Sequence, residues 1–531
     1  MASDISKHNG MVVAPHYLAA QAGADILREG GNAVEAMLTA AATIAVTYPH
    51  MNGLGGDNFW LIHSPDRGLP WAIDACGGAA GIADVEFYHD HNLRSIPARG
   101  PLSAITMAGA VSGWQHALQL SKQQLGGKIP LRRLLEPAIE HAKNGITTTN
   151  TLANNILSKR QELEPQPGFS EQYIPLGKAP RAGDLFKLPT LSGTLDALAQ
   201  AGLQDFYHGD IAHSLSQELE RAGSPLRRED FERHRSMDVI PLSLDVSGHR
   251  IFNLPPPTQG IASLILLGVF ERLKITEAEC FEFSHGIIEA TKCAFKIRDR
   301  HVCDPAFMTT AIERFLASEV LDELTSSIDM ARAAPWPYAT TGGDTVWLGA
   351  IDSQGRAVSF IQSVYWEFGS GLVLPQTGIT WQNRGTSFSL DPAHHNCLHP
   401  RKRPFHTIQP ALGLLNDGRV MPYGTMGGEG QPQTQAMIFA RHVLFDQELQ
   451  QAIDAPRWLL GKTWGSDITN LRIENRFDDN LYSELIKAGH DVEIVGGHEE
   501  IMGHAGALIF YKDGSMEGVS DPRSDGAAVT A

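Results

Sequence analysis

The stretch that decides the fold of this 531-residue chain is Thr341-Gly342-Gly343-Asp344-Thr345-Val346-Trp347-Leu348-Gly349-Ala350-Ile351-Asp352. A tight, glycine-rich turn ends at Asp344, and a strand-like apolar run begins at Thr345. A threonine hydroxyl is a weak nucleophile unless a base lies beside it, and cutting the chain before Thr345 would free its α-amino group as that base. The stretch therefore predicts a proenzyme, although a threonine that merely begins a strand is the simpler interpretation of these residues alone.

Helical periodicity dominates the sequence before this point. Apolar residues spaced by four predict a first helix that ends at Gly30 and Gly31, and Asn32 is suited to cap a second helix over residues 33–47. The same periodicity recurs in the ranges 132–142, 190–222 and 282–299.

Short β-type runs joined by turn residues follow Thr345. The turns are expected at residues 353–355, 416–418 and 512–514, and an earlier hairpin is expected from runs 59–63 and 71–74. These patterns predict antiparallel sheet flanked by helices. A proline-containing connector over 334–341 is expected to be exposed, which would suit a break in the chain.

Composition excludes several classes of partner. Lys and Arg number 43 against 60 Asp and Glu, and the formal net charge of −17 argues against binding nucleic acid or an anionic membrane. The beginning of the chain lacks the pattern of a secretion signal, and the longest apolar stretch, 33–48, contains Glu35 and is too short to span a membrane. We expect a cytoplasmic protein with reduced thiols, because its five cysteines are odd in number and scattered.

Two further motifs bear on chemistry. The run Tyr423-Gly424-Thr425-Met426-Gly427-Gly428-Glu429 could aim backbone N–H groups of paired glycines at an oxyanion, or it could be only a turn that ends a strand. A short loop contains the metal-binding residue types His394, His395, Cys397 and His399, but their spacing matches no established zinc motif. The sequence therefore predicts no metal and no cofactor.

Together these motifs resemble the γ-glutamyltransferase family of N-terminal-nucleophile hydrolases over nearly the whole chain. The matching segments, in the order of the family, are 30–36, 48–57, 255–260, 454–457 and 520–523. The resemblance implies an α+β fold, a four-layer αββα sandwich with antiparallel sheets and a large helical portion. It also implies that the precursor cuts itself between Asp344 and Thr345 into a large subunit, 1–344, and a small subunit, 345–531, which remain together.

The resemblance assigns expected roles to individual residues. Thr345 is expected to be the nucleophile and, through its α-amino group, the base, and Ser363 falls where the family has a second hydroxyl that supports the nucleophile. Gly427 and Gly428 fall on the pair of glycines that binds the oxyanion.

The departures from the family pattern concern the substrate. The arginine that holds the α-carboxylate of a glutamyl group is absent from segment 74–80, Ser387 replaces the acid for its α-amino group, and Tyr365 replaces a substrate-binding asparagine. Other residues stand where a substrate could be held: Arg384, His406 and Thr407. An arginine grips a carboxylate at two points, and bulky Tyr365 would shrink the pocket. This pattern predicts a small amide that carries a carboxylate and no ammonium group.

The pattern most resembles the branch of the family that hydrolyses oxamate to oxalate and ammonia in purine-nitrogen catabolism. One alternative is a hydrolase or transpeptidase for a γ-glutamyl or other acyl amide, in which Arg384 or a basic residue of 401–403 replaces the missing arginine. The other is an unprocessed, non-catalytic binding protein. The expected partners are a small-molecule amide, the two subunits of one precursor and possible further copies of the chain.

Overall fold

A computed structural model describes residues 9–336, 344–461 and 469–531. Most of the predicted connector and the Gly342-Gly343 turn therefore lie outside the described residues.

The strands of the described residues are, in chain order, β1 (Gly10–Ala14), β2 (Asp57–His63), β3 (Trp71–Ala75), β4 (Ile146–Thr147), β5 (Leu185–Phe186), β6 (Met237–Val239), β7 (Leu242–Val246), β8 (His249–Asn253), β9 (Asp344–Asp352), β10 (Ala357–Tyr365), β11 (Val373–Leu374), β12 (Ile379–Thr380), β13 (Ala411–Leu414), β14 (Val420–Thr425), β15 (Trp458–Leu460), β16 (Leu471–Glu474), β17 (Val492–Val495), β18 (Ala505–Phe510), β19 (Met516–Ser520) and β20 (Ala527–Thr530).

The α-helices of the same residues are α1 (Tyr17–Arg28), α2 (Ala33–Thr47), α3 (Val85–Asp90), α4 (Ala110–Gln124), α5 (Leu131–Asn144), α6 (Asn150–Ser158), α7 (Arg160–Leu163), α8 (Phe169–Tyr173), α9 (Pro189–Ala201), α10 (Asp205–His208), α11 (Asp210–Ala222), α12 (Arg228–Arg233), α13 (Gly260–Arg272), α14 (Phe281–His301), α15 (Ser318–Ser326), α16 (Gly430–Phe439), α17 (Leu449–Asp454) and α18 (Asp479–Ala488). No described helix has the length and apolar character needed to cross a membrane.

Two antiparallel sheets form the centre of the molecule. One has seven strands in the order β20-β1-β9-β10-β2-β3-β6, and the other has six in the order β19-β18-β14-β13-β8-β7. Successive side chains of a strand point to opposite faces, so alternate residues of each strand belong to different layers. In β1, for example, Met11 and Val13 lie in the apolar cluster between the sheets, whereas Val12 and Ala14 pack against helices.

The same alternation places a helical layer outside each sheet. The outer face of the seven-stranded sheet packs in one apolar cluster with α1, α2, α4 and α5, and that of the six-stranded sheet packs in another with α13, α14 and α16. The order of layers is therefore helix, sheet, sheet, helix, which confirms the predicted α+β sandwich.

The local predictions mostly hold. Asn32 caps α2 in a reciprocal capping box with Glu35, and the predicted hairpin turns join β2 to β3, β9 to β10, β13 to β14 and β18 to β19. The periodic range 190–222 is largely helical, but the chain breaks at Gly202 and Gly209 into α9, α10 and α11. Strand β1 and helices α16 to α18 were not predicted.

Candidate active site

Thr345 is the second residue of β9 and faces the space between the two sheets. It shares the alternating face of Trp347 and Ile351, which lie in the apolar cluster between the sheets, and its side chain is fully buried. The pairing of β9 with β10 shifts at this position, where Asp344 pairs with Tyr365 and Val346 pairs with Gln362. Two residues of β10 thus oppose Thr345 alone, which is a β-bulge of the kind found beside active sites.

The two hydroxyls predicted to act together lie across this bulge. Ser363 is fully buried, and its Oγ accepts a hydrogen bond from the backbone N–H of Tyr365 at 2.8 Å. The Oγ1 of Thr345 accepts from Nε2 of Gln431 at 3.5 Å, and Oε1 of Gln431 accepts from the backbone N–H of Gln409 at 3.2 Å. The sequence analysis missed Gln431, which follows the glycine pair by three residues.

Arg384 lies beside Ser363 and Thr407. It begins a short 3₁₀ helix, Arg384–Ser387, and is fully buried. Its Nη1 donates to Oγ1 of Thr407 at 3.3 Å, and its Nη2 lies 3.5 Å from Oγ of Ser363. The structure therefore brings Arg384 together with Thr407, its predicted partner in substrate binding, and with Ser363, the predicted support of the nucleophile.

The aromatic ring of Tyr365 covers one face of this guanidinium. The Cζ of Arg384 lies 3.9 Å from the centre of the ring, which is close enough for a cation–π interaction. Tyr365 holds this place with φ of +83°, a left-handed conformation that costs a bulky residue free energy and is concentrated at functional sites. The ring of Tyr365 therefore occupies space directly beside Arg384, where the sequence predicts that it makes the pocket smaller.

The positive charge of Arg384 has no carboxylate partner among residues 9–336, 344–461 and 469–531. Its Nε is buried without a hydrogen-bond acceptor there. Burial lowers the pKa of Arg384 to about 10, and the ring of Tyr365 and the carboxylate of Asp57 act in the opposite direction. A buried, unbalanced guanidinium favours the binding of an anion.

His406 is the second basic residue near this pocket, and it is paired with Asp57. Its Nδ1 lies 2.8 Å from the carbonyl oxygen of Pro404, so Nδ1 must carry a proton, and its Nε2 lies 3.1 Å from Oδ2 of Asp57. A proton is needed in that contact too, whichever partner holds it, so the pair as a whole is electrically neutral. Burial, and then the charge of Arg384, lower the pKa of His406, whereas Asp57 raises it. The pocket keeps one net positive charge, that of Arg384.

The glycine pair lies between β14 and α16. Gly427 and Gly428 have φ of +113° and +55°, conformations that side chains would oppose. Their carbonyl oxygens accept from the N–H groups of Gly430 and Gln431, at 2.8 and 3.3 Å. Within the described part of the chain neither of their own N–H groups donates a hydrogen bond, so both remain available as donors.

Two residues of the basic run 401–403, Lys402 and Arg403, are engaged by other groups in the described structure. Arg403 pairs with Asp74 at 2.7 Å and with Asp304 at 3.1 Å, and the ammonium of Lys402 donates to backbone carbonyl groups. The arginine missing from segment 74–80 is therefore not replaced by Arg403, whose charge is already balanced.

The histidine-containing loop forms no convergent ligand set. In the part of the chain that the structure describes, the His, Cys, Asp and Glu side chains close enough together to share a metal ion are instead His285, Glu289 and His490. These three are already satisfied, because His285 and His490 bond each other at 2.8 Å and Lys292 bonds Glu289 at 2.7 Å.

A sequence profile described as "Gamma-glutamyltranspeptidase" matches residues 19–531 of the chain. The chain belongs to the gamma-glutamyltranspeptidase family. This assignment confirms the predicted family and the prediction of a hydrolase that acts on carbon–nitrogen bonds.

Named relatives of this gamma-glutamyltranspeptidase family member cover almost all of its length. It is 51% identical to an oxamate amidohydrolase proenzyme of Klebsiella pneumoniae over 99% of both chains. It is 40% identical to a glutathione hydrolase-like proenzyme of Bacillus subtilis over 98% of both. Among solved structures, a cephalosporin acylase from Bacillus halodurans matches with a TM-score of 0.90 and 32% identity, covering 100% of this chain and 97% of that one.

Proposed function

We propose that this protein is a self-cleaving amidohydrolase that converts oxamate to oxalate and ammonia. The observation that carries the proposal is the buried guanidinium of Arg384, which lies against the hydroxyls of Thr407 and Ser363 and has no carboxylate partner in the described residues. The name and identity of the Klebsiella pneumoniae relative support the same substrate. We propose, as part of the same hypothesis, that the reaction serves purine-nitrogen catabolism.

The first proposed step is processing between Asp344 and Thr345. The Oγ of Thr345 attacks the carbonyl carbon of Asp344, and the acyl group moves from the nitrogen of Thr345 to its oxygen. This shift frees the α-amino group of Thr345, and water then hydrolyses the ester to give a carboxylate on Asp344 and the hydroxyl of Thr345. The related chains described as proenzymes support a step of this kind.

Substrate binding follows from the charge and size of the pocket. The carboxylate of oxamate would bind the guanidinium of Arg384 and the hydroxyl of Thr407, which already lie 3.3 Å apart. One anionic group balances the one net positive charge. The side chain of Tyr365 lies against Arg384 and leaves less room for a long acyl chain.

Catalysis uses the groups around the bulge. The Oγ of Thr345 attacks the amide carbon of oxamate while the α-amino group takes the hydroxyl proton, and the N–H groups of Gly427 and Gly428 bind the oxyanion. The tetrahedral intermediate collapses as the amine returns the proton to the leaving nitrogen, which departs as ammonia. Water activated by the same amine then hydrolyses the oxalyl ester on Thr345 and releases oxalate.

The test is a comparison of rates on two substrates. The purified, processed protein should release ammonia from oxamate with a kcat/KM far above that for a γ-glutamyl anilide, because Ser387 stands where the family resemblance expects the acid that binds a substrate ammonium group. A protein that turned over the anilide much faster than oxamate would belong to the γ-glutamyl alternative. A chain that stayed full length and inactive on both would be the binding protein.

A further inference from the structure

Gln259 lies between the two halves of the proposed site. It directly precedes α13, is fully buried, and its backbone N–H donates to the carbonyl oxygen of His406 at 2.9 Å. It comes from the segment 255–260 that the sequence analysis used only as a family match.

The side chain of Gln259 spans two backbone carbonyl groups. Its Nε2 donates to the carbonyl oxygen of Thr407 at 2.6 Å and to that of Gly428 at 2.9 Å, while its Oε1 accepts from Nη1 of Arg298 at 2.8 Å. If the amide were flipped, its oxygen would face the two carbonyl oxygens and its N–H groups would face the guanidinium of Arg298. These partners therefore allow only one orientation of the amide. The amide of Gln259 is a bridge of fixed length between Thr407 and Gly428.

Arg298 closes the network on the glycine side. Its Nη2 pairs with Oε1 of Glu429 at 2.9 Å, and its guanidinium lies 3.8 Å from the ring centre of Phe295. Glu429 directly follows Gly428, so Arg298 holds the glycine pair both through Gln259 and through Glu429. Charged groups buried in this way are costly to leave half-paired, which makes the arrangement rigid.

We propose that Gln259 is a positioning residue that sets the distance between the carboxylate anchor at Thr407 and the oxyanion donors at Gly427 and Gly428. The proposal rests on the proposed function, because it gives Gln259 a role in the same reaction. In oxamate the carboxylate and the amide carbon are directly bonded, so anchor and donors must be held at one short separation. A misplacement of about 1 Å in such a site can lower the rate a hundredfold.

The kinetic test separates the two ends of the network. Gln259→Met keeps the length of the side chain and removes its hydrogen bonds, so kcat for oxamate should fall at least about tenfold and KM should rise as well. Glu429→Gln loosens only the glycine end, so it should lower kcat and leave KM within about twofold. A role confined to stability would lower the amount of folded enzyme without this split between kcat and KM.

Gln362→Met is the matched control. Gln362 is also fully buried, and its amide bonds Asn52 at 2.8 Å and Trp114 at 3.0 Å on the helix-covered face of the sheet. Its loss should lower the melting temperature about as much as Gln259→Met does, yet kcat per mole of small subunit should stay within about twofold of wild type. Equal kinetic effects of the two variants would overturn the proposal.

Hydrogen exchange keeps the proposal testable if Gln259→Met fails to process. In a Thr345→Ala background, Gln259→Met should speed exchange at the amides of Gly430 and Gln431, which bond Gly427 and Gly428, and Gln362→Met should not. Unchanged exchange would refute the coupling. If wild type does not hydrolyse oxamate, the proposed function fails, and the exchange result still decides whether Gln259 holds the glycine pair.

Discussion

At the scale of single residues, the buried guanidinium of Arg384 needs interactions that compensate for its removal from water. Moving a guanidinium out of water costs several kcal/mol of free energy. Its contacts with the hydroxyls of Thr407 and Ser363 offset only part of that cost. The ring of Tyr365 contributes about 2 kcal/mol at a desolvated site. In the proposed mechanism, the carboxylate of the substrate would offset the remaining free-energy cost.

Replacing Thr345 tests the proposed nucleophile. Thr345→Ala removes the hydroxyl that would attack Asp344, so the variant should remain a single chain and release no ammonia from oxamate. Denaturing electrophoresis and N-terminal sequencing of wild type and variant measure this directly. A small subunit that begins at another residue, or an alanine variant that still splits, would show that the nucleophile is elsewhere.

The proposed base predicts the pH dependence of activity. The α-amino group of Thr345 accepts a proton only in its neutral form, and such groups titrate near pH 7.7 to 8.0 in model compounds. A plot of kcat/KM for oxamate against pH should therefore rise through one ionisation and reach a plateau above it. Activity that a chelator abolished and zinc restored would instead indicate a metal site such as the histidine-containing loop.

Little of the detail at this scale could be predicted from the sequence. Thr345, Ser363 and Gly428 were predicted because they stand in segments that resemble the family. The proposed roles of Gln259 and Arg298 depend on contacts between residues that are far apart in the sequence, and so does the pairing of Asp57 with His406. These separations range from 39 to 349 positions. No local pattern reports such contacts, since they depend on how the two sheets face each other.

At the scale of elements, signals within a few residues predicted structure well. The Asn32 cap and the hairpin turns depend on neighbours, and each appeared as predicted. Strand β1 was missed because its five residues carry no alternating pattern: both faces are buried, one against helices and one between the sheets. The breaks within 190–222 were missed because helical periodicity resumes after each glycine.

The surroundings of Glu500 indicate that the stability of the folded protein depends on pH. Glu500 begins the short 3₁₀ helix Glu500–Met502, and burial, followed by the charge of Glu367, raises its pKa to about 8. The folded state therefore binds this proton more tightly than the unfolded state. The resulting stability is complete below the ordinary pKa of 4.5 and is lost as pH rises through about 8.

Glu500→Gln should therefore raise the melting temperature at about pH 9 and change it little at about pH 4, because glutamine stays neutral at both. Thermal unfolding followed by circular dichroism measures the difference. Glu499→Gln, at the exposed neighbouring position, is the control and should shift neither value. Equal shifts for Glu500→Gln at both pH values would show that the carboxyl is not protonated in the folded state.

At the scale of the whole molecule, the site depends on both predicted subunits. Arg384, Thr407 and the glycine pair come from the range after Thr345, whereas Asp57, Gln259 and Arg298 come from the range before it. The chain carries a net charge of −17, so the protein as a whole repels an anionic substrate. The proposed selectivity for a carboxylate would then arise from the buried charge of Arg384 and its short-range contacts.

The most direct measurement compares oxamate with oxamide, its uncharged analogue, in wild type and Arg384→Ala. Oxamide has an amide where oxamate has the carboxylate, so Arg384 should matter for one substrate alone. Charge-assisted hydrogen bonds contribute roughly 1.5 to 3 kcal/mol each, so Arg384→Ala should lower kcat/KM for oxamate at least about tenfold, with Arg384→Lys intermediate. For oxamide the same variant should stay within about twofold of wild type. An equal loss on both substrates, or none on oxamate, would contradict the assignment of Arg384 as the carboxylate anchor.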